Sequence, residues 1–470
     1  MTHGLRSYPD YKDAGVPWLG AIPAHWTAMR CKYLFREVDT RSENGEETHL
    51  SMSQKHGLIP SKDMDGRRLH SESYAGGKLC QPHDLVLNRL KAHLGVFAHA
   101  RQSGVVSPDY TVLRPAFPEH VVYFEHVFKT PACVAELRCS TKGIVEGFWR
   151  LYTDDFYRIR VPLPPASERD AILVFLRSVD ATVRRFIRNR RRLIELLNEQ
   201  KQAIINRAVT RGLDESAPLK PSGIDWLGDI PAHWEVKPLK RWVSINKRVL
   251  PESTDPDYMF DYVDIGCVGT GRLTGHPSRI RFGNAPSRAR RVLRRGDTIL
   301  STVRTYLRAV YFVADEVTNL VASTGFAVLT PEPGVVPEYL GITLQSDPFI
   351  NRVTANSIGI AYPAIAESKL GTFHVAMPPT TKEQEDIVQE VRSQTAALTA
   401  AIVRAQREID LIREFRTRLI DDVVTGKLDV RGFVPTEPMP ADEPADEPIE
   451  EVGLEDEEAE QVEEAVDVAD

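Results

Sequence analysis

The residues best suited to chemistry in this 470-residue sequence are basic and amide side chains that follow two matching segments. The segments read DLVL at 84–87 and DTIL at 297–300, 213 residues apart. The polar residues that follow them are Asn88, Arg89, Lys91 and His93 in the first half, and Arg304, Tyr306 and Arg308 in the second. Arginine and asparagine can form paired hydrogen bonds with planar polar groups, such as the edges of nucleic-acid bases, so both stretches are candidate binding sites.

A second set of candidates precedes the last predicted strand of each half. These residues are Lys142, Trp149 and Arg150 in the first half, and Asn356 and Tyr362 in the second. For all of these candidates, the alternative to a base or phosphate contact is an ordinary surface or core role. We interpret Asp84 and Asp297 as structural, because each follows a turn into a strand. We expect no carboxylate or second histidine to lie near His25 or His233, so we expect no function for either.

Signatures of catalysis and of bound cofactors are absent from the sequence. There is no GxxxxGK[ST] loop and no glycine-rich strand-to-helix turn. The proline pairs at 164–165 and 378–379 follow Leu and Met, whereas an amino-methyltransferase would show Asn-Pro-Pro and an aromatic residue. The five cysteines form no CxxC pair, and no HxxxH or HExxH spacing occurs, so we expect no metal site. The sequence therefore favours a binding protein.

The charges are segregated along the chain. The net charge is −7, but residues 433–470 contain 16 acidic and no basic residues. The other 432 residues carry 59 basic against 50 acidic residues, a net charge of +9, which permits a polyanionic partner such as DNA. We predict a disordered acidic tail over 431–470, which could be solubilising, mimic DNA or bind a basic partner. Reduced cysteines, and no signal peptide or membrane span, lead us to expect a cytoplasmic protein.

An internal repeat organises the rest of the sequence. WLGAIPAHW at 18–26 and WLGDIPAHW at 226–234 are identical at eight of nine positions. VPLPP at 161–165 matches VAMPP at 375–379, and VTRGLD at 209–214 matches VTGKLD at 424–429. Between these anchors, 27–165 and 235–379 contain short alternating runs that predict strands, and the two stretches have diverged. A repeat this long indicates duplicated domains with one fold and two different surfaces.

A long helix is predicted at the end of each half. From 168 to 209 the helix would be roughly 63 Å long. Its apolar positions alternate in threes and fours, as in a coiled-coil seam. The predicted seam is Ile172, Leu176, Val179, Val183, Phe186, Leu193, Leu197, Ile204 and Ala208 in the first helix, and Ile387, Val391, Leu398, Ile402, Ile409, Ile412, Leu419 and Val423 in the second. Neither helix can bury its stripe alone, so we expect the two to pair, antiparallel.

The order of these motifs, from about residue 8 to residue 432, resembles the DNA-specificity subunits of type I restriction-modification systems. The resemblance implies an α+β fold, with two mixed α/β target recognition domains separated by two long helices that form an antiparallel coiled coil. Each domain would read one half of a split DNA target. The expected boundaries are 1–165 for the first domain, 166–213 for its helix, 214–234 for a linker, 235–380 for the second domain, 381–430 for its helix and 431–470 for the tail.

The resemblance also implies partners. It predicts a non-catalytic chain without cofactors, bound to double-stranded DNA, to two modification subunits that carry S-adenosylmethionine and to two restriction subunits that use ATP and magnesium. Two alternatives remain open. One is a self-contained DNA methyltransferase or nuclease with a recognition domain, which methyl transfer by the purified chain would reveal. The other is a coiled-coil scaffold that does not bind DNA.

Overall fold

The structure is a computed structural model that describes residues 6–53, 56–64, 74–143, 149–359 and 362–435. The chain divides into two compact units. Unit 1 comprises the described residues of Met1–Arg190 and Gln406–Asp470, and unit 2 comprises those of Arg191–Ala405. Helix and sheet are mixed in both units, as the predicted fold class requires.

The elements follow in chain order. Up to the first long helix they are β1 Tyr11–Asp13, β2 Ala21–Pro23, β3 Thr27–Arg30, α1 Cys31–Leu34, β4 Phe35–Val38, β5 Leu50–Ser53, β6 Gly57–Pro60, β7 Lys78–Cys80, β8 Leu85–Asn88, β9 Phe97–His99, β10 Gly104–Val106, β11 Tyr110–Pro115, α2 Val121–Phe128, α3 Pro131–Ser140, α4 Thr153–Arg158, β12 Arg160–Leu163 and α5 Ala166–Arg211. The later elements are β13 Leu219–Pro221, β14 Asp229–Pro231, β15 Glu235–Pro238, β16 Val243–Ile245, β17 Met259–Val263, β18 Ser278–Arg281, β19 Ala289–Val292, β20 Thr298–Ser301, β21 Val310–Phe312, β22 Leu320–Ser323, β23 Phe326–Pro331, α6 Pro337–Leu344, α7 Asp347–Ala355, α8 Glu367–Leu370, β24 His374–Met377 and α9 Thr381–Val424.

A four-stranded antiparallel sheet lies at the centre of unit 1, in the order β4-β11-β8-β9. Its two inner strands, β11 and β8, are rich in Val and Leu and are almost entirely buried, whereas the edge strand β4 is partly exposed. Tyr110 pairs with Asn88, so the end of β8 lies beside the start of β11. Phe97, Phe128 and Phe156 pack beside this sheet, with ring centroids 4.9–6.2 Å apart.

Unit 2 repeats this sheet. Its strand order is β16-β23-β20-β21, with Ser301 opposite Phe326 at the end of β20. A second sheet, in the order β18-β17-β22-β19, includes one parallel pair, β17 with β22. In unit 1, the described strands outside the central sheet form two-stranded pairs. The two halves therefore share a central sheet and differ in what surrounds it.

The long helices α5 and α9 pair antiparallel, as predicted. Within unit 1, Arg416 Nε donates to Asp180 Oδ1 at 2.7 Å, and Arg190 Nε lies 2.6 Å from Glu408 Oε2. The higher residue number on α5 meets the lower one on α9, which fixes the direction. Within unit 2, Ile205 and Val209 of α5 share a hydrophobic core with Ile387, Val388 and Val391 of α9.

The predicted continuous seam is wrong in the middle of the helices. The Leu193 side chain is 37% exposed, and Phe186 and Leu197 are only partly buried. Ile187 and Ile205 are buried in place of the predicted Phe186 and Ile204. A straight helix of 3.6 residues per turn drifts from a 3.5-residue repeat, which moves the buried stripe by one position.

Both helices end at a glycine, as the sequence indicates. Gly212 and Gly426 have φ of 71° and 84°, a left-handed conformation that costs glycine little. A Cβ at Gly426 would also collide with Pro23, so the helix end packs on the repeated WLGxIPAHW motif. Of the predicted acidic tail, residues 436–470 lie outside the described part of the chain. Among the described helices, none is long and apolar enough to cross a membrane.

Candidate nucleic-acid interface

The repeated WLGxIPAHW motif in unit 1 anchors the start of α5. Trp26 is completely buried, and its Nε1 donates to Glu168 Oε2 at 2.9 Å. His25 Nε2 lies 2.6 Å from Glu168 Oε1, and the Tyr8 hydroxyl donates to Glu168 Oε2 at 3.1 Å. Burial and the Glu168 carboxylate raise the pKa of Tyr8 well above its ordinary value, which keeps the hydroxyl protonated as a donor.

Unit 2 contains the same anchor in a more exposed form. Trp234 Nε1 donates to Glu383 Oε1 at 2.8 Å, and His233 Nε2 lies 3.0 Å from the same oxygen. Our expectation that His25 and His233 have no carboxylate nearby is wrong, because the long helix brings a glutamate to each from far along the chain. The contacts make both histidines part of a structural anchor.

A buried aspartate precedes β8 and β20, at the end of each strand opposite the candidate site. Asp84 in unit 1 is 2% exposed and accepts two hydrogen bonds from Arg114, at 2.9 and 3.0 Å. Asp297 in unit 2 is 1% exposed and accepts from Arg248 Nη2 at 2.7 Å and from the Thr330 hydroxyl at 2.7 Å. Both contacts agree with a structural role for these residues.

Two segments that are distant in sequence, one after β8 and one after α3, come together in unit 1. We call residues 89–95 together with 142–143 and 149–151 the first loop pair. Leu151 N donates to Arg89 O at 3.1 Å, and Lys142 and Arg150 exchange two main-chain hydrogen bonds at 2.9 and 2.8 Å. The His93 and Trp149 rings meet edge to face, with centroids 5.4 Å apart, and Arg138 lies over the Trp149 ring at 5.4 Å. The structure thus joins the two sets of candidates that the sequence separates by about 50 residues.

The candidates in the first loop pair differ in how accessible their side chains are. Asn88 is 5% exposed, and its Oδ1 accepts from the main-chain N–H of Leu90 at 3.1 Å, so this side chain shapes the turn. Arg89 Nε donates to Asp109 O at 2.7 Å. Lys142 Nζ lies 2.6 Å from Asp155 Oδ2, although it remains 63% exposed.

His93 and Arg150 differ most in accessibility among the candidates in the first loop pair. Burial lowers the pKa of His93, and Arg138 lowers it further, so the ring is neutral at neutral pH. Its Nδ1 is buried without a hydrogen-bond partner among the described residues. Arg150 is exposed, and Lys91 is half-buried at the start of the short 3₁₀ turn Ala92–Leu94.

Unit 2 has an equivalent arrangement, the second loop pair, formed by residues 302–308 with 356–359 and 362–365. Ile365 N donates to Thr302 O at 2.9 Å, and Arg304 N donates to Pro363 O at 2.7 Å. The hydroxyls of Thr305 and Ser357 share a hydrogen bond of 2.8 Å. The segment after β20 and the segment after α7 are therefore held together, as in unit 1.

The candidates in the second loop pair fall into two groups. The Arg304 guanidinium lies over the Tyr362 ring at 4.7 Å, and Tyr306 and Tyr362 are more than half exposed. Arg308, by contrast, forms an ion pair with Asp347. Asn356 Nδ2 donates to Arg352 O at 2.9 Å at the end of α7. The structure brings Arg304, Tyr306 and Tyr362 together at the surface, and it places the other two in contacts with α7.

Comparisons with known proteins agree with the resemblance seen in the sequence. The chain is 24% identical over 304 residues to the type I restriction enzyme MjaVIII specificity subunit of Methanocaldococcus jannaschii, covering 63% of this chain and 68% of that protein. It is 23% identical over 278 residues to the putative type I restriction enzyme MjaX specificity subunit of the same organism, covering 58% and 60%. The resemblance to type I specificity subunits is confirmed.

The structural comparison concerns the fold alone. A chain from a structure of complex assembly and conformational transition of the type I restriction-modification system matches 86% of this chain and 98% of its own length. The TM-score is 0.55 at 17% identity. No family model matches the sequence.

The sequence reasoning overlooked two residues in the second loop pair, one arginine near it and one arginine beside the first loop pair. Leu307 and Ile358 are 46% and 84% exposed on the second loop pair. Arg288 is exposed at the start of β19, and its carbonyl accepts from Thr324 N in the turn beside Thr302. Arg138 covers Trp149. The dense run of arginines from 279 to 295 is a signal that could have identified Arg288.

Proposed function

We propose that this chain is the DNA-binding specificity subunit of a type I restriction-modification complex and that it reads a bipartite target. One observation carries the proposal: two units with the same central sheet each present a loop pair at the same end of that sheet, with different side chains. A protein that reads two different half-sites needs a shared frame and two distinct surfaces. The relatives named as type I specificity subunits support the same role.

Each loop pair offers both kinds of contact that DNA recognition requires. Phosphate contacts position a protein on the duplex, and contacts with base edges specify sequence. Arg150 and Lys142 in unit 1, and Arg304 and Arg288 in unit 2, are basic side chains with exposed area at these surfaces. Arginine suits either task, because its guanidinium pairs with phosphate or with guanine O6 and N7.

In this proposal the chemistry belongs to the partner subunits. The sequence has no nucleotide-binding loop or methyltransferase signature, so the chain directs chemistry that it does not perform. Two modification subunits would bring S-adenosylmethionine, and two restriction subunits would use ATP and magnesium. The chain itself would need no cofactor.

Reconstitution tests this division of labour. The purified chain with S-adenosylmethionine should methylate no DNA. The chain with its modification subunits should methylate adenine in one split sequence, read out by single-molecule sequencing of methylated bases. Methylation by the chain alone would favour the self-contained enzyme. If the assembled complex bound no DNA at any salt concentration, the scaffold alternative would hold.

Salt dependence provides a second test on the same complex. Because contacts between basic side chains and phosphates release counterions, affinity should fall steeply as salt rises from 50 to 200 mM, by roughly 10³-fold or more if six or more phosphates are contacted. Affinity that does not change with salt would exclude a phosphate-tracking surface.

A further inference from the structure

The second loop pair exposes an unusual number of apolar and aromatic side chains. Tyr306, Leu307, Ile358 and Tyr362 are 53%, 46%, 84% and 56% exposed. Single exposed apolar residues are common and need no explanation, but four on two adjoining segments form a patch. Exposed apolar side chains grouped on adjoining segments mark binding surfaces.

The segments that carry this patch are rigidly positioned. The Thr305–Ser357 hydrogen bond joins them, and Ile358 and Ala364 exchange two main-chain hydrogen bonds, at 2.8 and 2.9 Å. Arg304 and Arg308 flank the 3₁₀ turn Thr305–Leu307 with φ of 52° and 55°, a conformation that non-glycine residues seldom adopt. Such strain persists where the surrounding structure holds it in place, and it is common at ligand-binding sites.

Positive charge adjoins the patch. The Arg304 guanidinium stacks on Tyr362 and has no acidic partner within the described part of the chain. Arg288 is exposed at the same end of the sheet. A polyanion with apolar groups at its surface would complement both features. Duplex DNA offers this combination in its major groove, where the 5-methyl group of thymine projects beside the base edges.

We propose that Leu307 and Ile358 read thymine in the half-site bound by unit 2, by packing against its 5-methyl group. The inference rests on the proposed function, because it presupposes that unit 2 contacts DNA. In unit 1 the corresponding loop pair has the polar Lys142 and Arg150 exposed, and its Trp149 lies against Arg138 and His93. The two units thus read by different chemistry.

The test replaces thymine by uracil, which lacks only the methyl group. The probe is an oligonucleotide duplex with the sequence methylated by the reconstituted complex, with thymine or uracil in one half-site at a time. Binding of the complex of the chain with its modification subunits is measured for the wild type, Leu307→Ala and Ile358→Ala. Leu219→Ala is the control, because Leu219 is also in unit 2 and is 44% exposed. Size-exclusion chromatography checks that each variant assembles.

Uracil in the unit 2 half-site should weaken wild-type binding by about four-fold for each methyl group in contact, the factor expected for burying one methyl-sized apolar group. Leu307→Ala or Ile358→Ala should weaken binding to the thymine duplex by a similar factor. Each variant should also bring the ratio of the affinities for the thymine and uracil duplexes towards one. Leu219→Ala should retain the wild-type ratio.

Three results would overturn the inference and leave the proposed function intact. The first is equal wild-type affinity for both duplexes. The second is a unit 2 half-site without thymine on either strand. The third is that the variants lose assembly with the modification subunits and keep their preference for thymine. Absence of sequence-selective binding to any duplex would instead overturn the proposed function.

Discussion

In each unit, main-chain hydrogen bonds join the two segments of the loop pair. These hydrogen bonds are equivalent in the two units, whereas the side chains that the loop pairs present are different. Leu151 N donates to Arg89 O in unit 1, and Ile365 N donates to Thr302 O in unit 2. After the first segment, unit 1 has Gly95 in the left-handed conformation, whereas unit 2 has Arg308 there, 213 residues further on. The main chain is thus kept while the side chains change. A frame of this kind can acquire a new surface without a new fold.

The buried aspartates at the opposite end of the central sheet follow the same rule. Both units bury an aspartate at the start of a central strand, and both give it an arginine from another strand or loop. In unit 1 that arginine is Arg114 on β11, but at the equivalent position of unit 2 stands Thr330, and Arg248 supplies the charge from beyond β16. The interaction is retained although its donor has moved.

The largest contrast between the units should appear at the anchors of the long helices. Glu168→Ala leaves the buried donors of Trp26 and Tyr8 unpaired, which should destabilise unit 1 by about 3 kcal/mol. Glu383→Ala leaves one buried indole donor and an exposed histidine, so about 1 kcal/mol is expected in unit 2. Hydrogen exchange in residues 166–190 and 381–405 measures each effect locally.

Glu168→Gln is the matched control for this prediction. Trp26 and Tyr8 both donate to Glu168 Oε2, and the amide oxygen of glutamine can still accept both hydrogen bonds, so the effect should be smaller than that of the alanine variant. Equal loss of protection in both units would show that the anchors do not differ as their burial indicates.

The arginines that pair with the two buried aspartates come from different positions in the two units, and this difference allows a second test. Arg114→Thr should destabilise unit 1 by about 2 kcal/mol, because Asp84 loses its charged partner while it remains buried. Residue 40 corresponds to Arg248, 208 residues earlier, so adding Thr40→Arg recreates the unit 2 arrangement. The double variant should recover most of the lost stability, measured as hydrogen-exchange protection of β8. A double variant as unstable as Arg114→Thr would contradict the equivalence of residue 40 and Arg248.

A smaller effect should appear on acidification, as a loss of stability in unit 1. Burial lowers the pKa of His126, although Asp180 and Glu125 oppose that shift, and burial with Arg138 lowers the pKa of His93. The unfolded chain therefore binds protons more strongly than folded unit 1, and stability is lost as pH falls below about 6.5. Between pH 7.5 and 5.5 we expect less than about 1 kcal/mol for each histidine. His93→Gln and His126→Gln should each reduce the pH dependence of exchange in unit 1, and an unchanged dependence would rule out these residues as its source.

Periodic and repeated features of the fold could be predicted from the sequence. The sequence predicts the first long helix from 168 to 209, and the helix spans Ala166–Arg211, because an apolar stripe and a terminal glycine are local signals. The continuous seam was wrong at Leu193, since burial there depends on which residues of other elements approach the helix. Repetition revealed the two units because it needs no knowledge of contacts.

The candidate sites were predictable as segments but not as side chains. The stretches after DLVL and DTIL do form the loop pairs, yet Asn88 is buried in its own turn and Arg308 is paired with Asp347. Partners such as Glu168 lie 143 residues from His25, beyond any local pattern. Ile358 has no polar group that would make it a candidate in the sequence, and its exposure is known only from the folded loop. The assignment of individual residues to DNA contact stays a prediction.

The most direct test of two independent readers is the methylated sequence in cells. One variant carries Trp149→Ala and Arg150→Ala in the first loop pair, and another carries Arg304→Ala and Tyr362→Ala in the second. Single-molecule sequencing of methylated bases should show that each variant relaxes or loses one half of the split target, a different half in each case, with the other half unchanged. If both variants altered the same half, or if neither altered the sequence, the loop pairs would not be the two readers.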